Sequence, residues 1–356
     1  MIIIVDHVGK NAGNNYYSDG MASALCEAGH ECVVFSNYMS QFSKKVFFGS
    51  GITGFMLGTF FLFIQLTLQL RRRPTIIFHC FNGNLKVFLL ARFLSLFSCN
   101  LICIAHDPKS IVLSADSYKE NIFRLSKSIC VHNDYSKEVL LELFPKISEK
   151  SVFVISHGVN LTRFNQIDKN CARARLEISS EKFVLLFFGQ VKSSKNLEIV
   201  LKSLHHITHL NPLILVYGKF VEDDVSHYLS LVPDTQRQFV KIVPGFVSDE
   251  LMTDLFSASD VSLLPYKEIF QSGVLLTSFA FRLPVICSNI PGFSHIVTNH
   301  YNGFLFESDD IVAFSEACSG AYNSELGLIS DNCFAELKKR FTWELSVQQL
   351  INHNIL

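Results

Sequence analysis

Short, unbroken apolar runs alternate along this chain with helix-length amphipathic stretches. That alternation limits its fold more than any other feature. Runs at 2–5, 31–35, 76–79, 101–105, 129–132 and 152–155 are rich in Ile, Val and Phe, and they are continuous rather than alternating. Continuous apolar strands suit a parallel sheet buried on both faces. Between them, 14–28, 84–97 and 136–144 have helical pattern and length. A polar, charged stretch from 158 to about 181 reads as a linker. A second series then begins, with strands at 183–188, 213–217, 240–243, 261–264 and 285–287 and helices at 194–208, 248–257, 273–281 and 309–322. The expectation is α/β: two Rossmann-like domains, 1–165 and 166–342, with a helix over 343–356 crossing back to the first. Ligands of such sheets bind at the carboxyl ends of the strands, which here implies a cleft between the two domains.

The bulk numbers fit this division. The 356 residues suffice for two cores of roughly 170 residues each. A hydrophobic fraction of 49% against 18% charged residues excludes a disordered chain. A net charge of −1 offers nucleic acid no global attraction, so it is not an expected partner. Ten scattered cysteines without a Cys-x-x-Cys pair read as reduced, mostly buried thiols of a cytoplasmic protein. The apolar run at 2–5 stops at Asp6 and His7, too early for a signal-peptide core.

Residues 46–70 contain no charge and lie between Lys44-Lys45 and Arg71-Arg72-Arg73. The length would span a bilayer. However, Gly49, Gly51, Gly54 and Gly58 interrupt it, and a spanning helix would place the two halves of one sheet on opposite sides of the membrane. The preferred reading is a helix with one face on the sheet and the other on anionic lipid headgroups. A helix packed wholly inside the domain is the alternative.

Several segments have the chemistry of a phosphate site. Gly189 follows an apolar strand and permits a tight turn, and Lys192 and Lys195 stand at the start of a helix. Two cations beside backbone N–H groups form an anion site suited to a diphosphate. Ser272 can cap the apolar helix that Gly273 opens, and Val274, Leu275 and Thr277 lie in its first turns. In the first half, His106-Asp107 ends a strand at the expected cleft, where a polar group can orient a hydroxyl or stabilise charge. The loop 9–15, with Gly9 and Gly13, lets backbone approach donor phosphate or acceptor. That loop after the first strand does not carry the nicotinamide fingerprint Gly-x-Gly-x-x-Gly. His205 and His209 are four apart on a helix but lack an evident third metal ligand, and Glu222-Asp223-Asp224 reads as a loop, so no metal is expected.

Taken in order, these segments resemble the retaining glycosyltransferase family 4, which has the GT-B fold. Val243-Pro244-Gly245-Phe246-Val247 with Glu250-Leu251 is similar to the family's nucleobase turn. Residues 258–265, 265–277 and 302–306 are similar to its later strands and donor loop, and His157-Gly158-Val159-Asn160 to its interdomain boundary. The resemblance covers nearly the whole second domain and is looser in the first. It implies donor contacts at Gly13, Gly189, Lys192, Lys195, Phe246, Val247, Glu250, Ser272, Gly273, Val274, Leu275 and Thr277, and a catalytic role for His106 and Asp107. The family's usual pair of glutamates is missing, with Ile269 and Thr277 in their places.

The activity implied is transfer of a sugar, with retention, from a nucleotide-sugar to a lipid-linked saccharide. The setting would be bacterial envelope polysaccharide synthesis, with the protein peripheral on the inner membrane face and needing no cofactor. The alternatives are a sugar-nucleotide epimerase of the same fold and a membrane-associated scaffold without catalysis.

Overall fold

The computed structural model of the chain describes residues 1–7, 9, 14–42, 51–68, 74–97, 100–109, 118–161, 164 and 166–356, without the side chains at 51, 52, 55 and 68. Gly13 and the basic flanks Lys44, Lys45, Arg71, Arg72 and Arg73 lie outside the described residues. The chain divides into two compact units, Met1–Asn160 with Arg340–Leu356, and Leu161–Lys339.

The first unit contains the strands β1 (Ile2–Asp6), β2 (Cys32–Ser36), β3 (Thr75–Cys80), β4 (Asn100–Ala105), β5 (Ser128–Val131) and β6 (Val152–Val154). They form one sheet in the order β2-β1-β3-β4-β5-β6, parallel throughout. Its helices are α1 (Asn15–Glu27), α2 (Gly51–Leu68), α3 (Leu85–Phe97), α4 (Lys119–Leu125) and α5 (Asp134–Leu143). β1 shows why the runs are continuous. Ile3 and Val5 enter a core with Leu62 and Leu66 of α2 and Leu90 and Leu94 of α3. Ile2 and Ile4 enter a second core with Tyr17, Met21 and Leu25 of α1 and with Trp343, Val347 and Leu350. Successive side chains point to opposite faces, and both faces are covered, so every position must be apolar.

The second unit contains α6 (Lys169–Arg175), β7 (Phe183–Phe188), α7 (Leu197–Lys202), α8 (Leu204–Ile207), β8 (Pro212–Gly218), α9 (Val225–Ser230), β9 (Val240–Pro244), α10 (Asp249–Ala258), β10 (Val261–Leu264), α11 (Gly273–Ala280), β11 (Val285–Ser288), α12 (Pro291–Ser294), β12 (Gly303–Phe306) and α13 (Ile311–Tyr322). α14 (Leu326–Arg340) follows, and α15 (Trp343–Asn352) belongs to the first unit and packs on α1. The sheet order is β12-β11-β10-β7-β8-β9, again parallel. The α/β class is therefore as the runs imply.

Two expectations need correction. The stretch 158–181 is not all linker, because α6 lies within it and packs on α10. A polar composition hid a helix held by one buried ion pair, Arg173 to Asp260 at 2.8 Å. The single helix expected over 194–208 is broken. A turn of 3₁₀ helix at Ser193–Lys195 ends at Asn196, whose φ is +53°, before α7 and α8 follow. Asparagine tolerates the left-handed region better than most residues, which permits the break. Residues 46–70 hold α2 as a helix, and among the described residues no helix is long and apolar enough to cross a membrane.

Candidate functional site

The second unit concentrates its turns at the carboxyl end of the sheet. Three glycines there have positive φ: Gly189 at +107° after β7, Gly218 at +151° ending β8, and Gly245 at +132° after β9. They are neighbours. A Cβ on Gly218 would lie 1.6 Å from the Gly189 carbonyl oxygen, and the Gly245 N–H donates to the Gly218 carbonyl at 2.9 Å. Only glycine satisfies both the dihedral and the approach. Gly218 escaped the sequence reading because a lone glycine at a strand end has no spacing signal.

The Gly189 turn leads to Lys192 and Lys195. The Lys267 N–H donates to the Ser194 carbonyl at 3.0 Å, which joins this turn to the loop before α11. The Lys195 ammonium sits 3.4 Å above the centre of the Tyr266 ring, an arrangement that holds a cation without neutralising it. The Ser193 N–H donates to Glu222 at 2.7 Å, and the Glu222 carboxyl is held low by that hydrogen bond and, less, by Lys192. Asp309 accepts from Asn196 at 2.8 Å and lies 3.8 Å from Lys267. The turn is thus pinned on several sides.

At the start of α11 the Ser272 hydroxyl caps the Leu275 N–H at 3.2 Å. Gly273 is exposed with open space where a Cβ would stand, and Val274 reaches to within 3.5 Å of a Cβ placed on Gly189. Gly189, Lys192, Lys195, Ser272, Gly273 and Val274 therefore cluster. Leu275 is a correction, because its side chain is fully buried and its N–H is taken by the cap, which leaves it a packing role. Thr277 donates its hydroxyl to the Gly273 carbonyl at 2.8 Å, so it can only accept from a ligand. The Gly245 turn adds Phe246, which is 95% exposed, half-buried Val247, and exposed Glu250 in the first turn of α10.

Among the described residues one group has metal-ligand spacing, Glu198 with Asp223 and His227, whose ligating atoms lie within 4.8 Å of one another. His205 and His209 are not in it.

The first unit gathers histidines. His79 lies in β3, while His106, His132 and His157 follow β4, β5 and β6. Tyr17 of α1 stands at their centre, with ring centroids 4.9 to 5.4 Å from all four. Burial lowers the pKa of His79, His106 and His132, and brings that of His157 to about 4. For His106 the three neighbouring histidines act in the same direction. His106 stacks on Phe81 at 4.2 Å with 3° between planes, and its Nε2 is 2.9 Å from His79 Nδ1. Both His106 and Asp107 are half-buried. The sequence pointed to His106 and, separately, to the His157-Gly158 turn, but not to their grouping with His79 and His132. The available signal was a histidine at the end of each of four consecutive strands.

Comparison with known proteins bears on both units. Residues 168–339 match the model of the glycosyl transferases group 1 family. The UDP-Gal:alpha-D-GlcNAc-diphosphoundecaprenol alpha-1,3-galactosyltransferase of Escherichia coli is 26% identical over 217 residues, covering 58% of this chain and 54% of that protein. The capsular polysaccharide biosynthesis glycosyltransferase CapM of Staphylococcus aureus is 25% identical over 179 residues, covering 49% and 45%. The chain spans about half the length of the curated relatives it matches. Among solved structures, HepE of Anabaena in complex with UDP superposes with a TM-score of 0.75 at 15% identity, over 99% of this chain and 98% of that one. The second unit therefore carries the match to the glycosyl transferases group 1 family, and the chain has the GT-B fold.

Proposed function

We propose that the protein is a retaining glycosyltransferase that takes a sugar from a nucleotide-sugar held on the second unit. The observation that carries this is the convergence of the Gly189–Lys195 turn with the N-terminus of α11, inside the segment that matches the family. The N–H groups of Gly273 and Val274 and the ammonium groups of Lys192 and Lys195 match the charge of a diphosphate, and α11 adds the positive end of its dipole. Diphosphate departure then needs no metal. The Gly245 turn, with Phe246, Val247 and Glu250, is assigned to the base and ribose. His106 and Asp107 are assigned to the reacting sugar, and the acceptor to the first unit.

The acceptor we infer is a lipid-linked saccharide of a bacterial envelope polysaccharide. The Escherichia coli relative is named for such an acceptor and CapM for capsule. A second support is α2, where Gly58, Leu62 and Leu66 are buried while Met56, Leu57, Phe60, Phe61, Phe63 and Ile64 are exposed. The sequence places basic residues at both ends of this stretch, as docking on the anionic inner face of a membrane requires.

Thermal melts against UDP-, GDP- and ADP-sugars test the donor class. One nucleotide should raise the melting temperature, by up to about 2.7 kcal/mol of stabilisation at a hundredfold excess over Kd. Lys195→Ala should abolish that shift and the turnover while the protein remains folded. Near-normal turnover in Lys195→Ala sinks the assignment. One observation favours a non-catalytic scaffold: Ile269 and Thr277 stand where the family resemblance places acids. Donor binding without turnover on any lipid-linked saccharide would favour that second reading.

A further inference from the structure

Asp6 ends β1 fully buried, and three donors converge on it. The Gly9 N–H donates to Oδ1 at 2.6 Å, while Asn14 Nδ2 at 3.3 Å and the Ser18 hydroxyl at 2.7 Å donate to Oδ2. A carboxyl that receives three donors is an ionised acceptor. Ser18 has one proton, and it goes to Asp6. Its oxygen, 3.1 Å from His79 Nε2, must then accept, so His79 carries its proton on Nε2. A neutral His79 has a bare Nδ1, 2.9 Å from His106 Nε2, so His106 must supply the proton of that contact. Burial keeps His79 neutral, and Asp6 opposes it less strongly. The ring of His106 cannot turn to escape this, because it is stacked flat on Phe81 with the edge of Tyr17 against it.

We propose that Asp6, Ser18 and His79 form a buried hydrogen-bonded chain that fixes His106 as the Nε2–H tautomer and leaves Nδ1 as a standing proton acceptor. The three are positioning residues, and His106 is the group presented to substrate. A bare Nδ1 accepts a hydrogen bond from a sugar hydroxyl; with the opposite tautomer it would donate instead. The orientation of the chain comes entirely from Asp6, through the direction of one hydroxyl. The consequence for catalysis rests on the transferase reading, whereas the tautomer does not.

The test uses the full-length protein labelled with ¹⁵N at histidine, with long-range ¹H–¹⁵N NMR reading which ring nitrogen carries the proton. In the wild type, His79 and His106 should both be protonated at Nε2. Asp6→Asn presents an amide donor to Ser18, which turns the hydroxyl toward His79 Nε2 and should move both protons to Nδ1. With the donor found by melting, Asp6→Asn should lower kcat roughly tenfold or more and leave donor Kd unchanged. If Asp6→Asn does not fold, Ser18→Ala replaces it: His106 should then show a mixture of tautomers, and Ser18→Thr should restore the single one. An Nδ1–H His106 in the wild type, or unchanged tautomers in Asp6→Asn, overturns the proposal. So does a flipped tautomer with unchanged kcat. A wild type inactive on every donor overturns the transferase reading and leaves the tautomer result standing.

Discussion

Asp260 shows how much a single residue can carry beyond what its motif suggests. In sequence it is one letter of a strand that resembles the family. In the fold its carboxylate accepts from Arg173 at 2.8 Å and from the Val184 N–H at 2.6 Å, and it also pairs with Lys169. Arg173 in turn donates to the carbonyls of Ala258 and Ser180. One carboxylate thus ties α6, β7 and the end of α10 together. Asp260→Ala would leave the Arg173 guanidinium buried and unpaired, an expected loss of about 3–5 kcal/mol. Urea denaturation measures it; a loss below about 1 kcal/mol would class the pair with surface salt bridges. Motif letters reveal that a residue is of the right type, and only its neighbours reveal whether it acts on a ligand or on the fold. Leu275 and Thr277 make the same point, since both stand in the stretch that resembles the family's donor loop and both spend their backbone or hydroxyl within α11.

At the scale of elements, the sequence announced α2 as a helix with one face on the sheet, and Leu62 and Leu66 pack there against β1. The buried positions Gly58, Leu62 and Leu66 repeat every four residues, so one stripe meets the sheet and the rest faces outward. A shallow apolar groove of about 350 Å³, lined by Met56, Thr59, Phe60, Phe63 and Phe93, runs beside it. Replacing Phe60 and Phe63 together by Glu should leave the melting temperature nearly unchanged and weaken binding to vesicles of anionic lipid by tenfold or more, since each removes about 1.5–3 kcal/mol of insertion. Equal binding of the variant and the wild type in a flotation assay would remove α2 from the membrane reading. α15, expected from the sequence to return to the first domain, packs on α1 of the first unit. Trp343 lies against the backbone of α1 and of the 157–158 turn, so closely that a Cβ on Gly20 or Gly158 would come within 2.2 Å of its ring.

At the scale of the whole molecule, the parallel strands of the first unit gather His79, His106, His132 and His157 at one end of the sheet. That arrangement has a thermodynamic consequence. His7 and His157 are held by burial at about 4, against an ordinary value of 6.5, and His79, His106 and His132 are also lowered. The unfolded chain binds protons at these sites below pH 6.5, and the folded chain does not. Stability of the first unit is therefore full above about pH 6.5 and falls steadily as the pH drops toward 4. Trp343 is the only tryptophan and belongs to this unit, so its fluorescence reports the transition directly. Its urea midpoint should fall between pH 7 and pH 4.5. A flat midpoint over that range would contradict the burial of the cluster.

The sequence by itself determined the α/β class, the two strand series and most helix positions, because burial on both faces of a parallel sheet demands unbroken apolar runs that periodicity reveals. It also displayed Gly189, the two lysines and the Ser272–Gly273 turn, because the anion site proposed there draws on local features of one turn. The tertiary structure alone decided that Gly218 packs against Gly189 and receives the Gly245 N–H, and that Asp6 reaches His106 through Ser18 and His79. Those relations join residues that are distant in the chain, and no local pattern encodes which strand end will lie beside which.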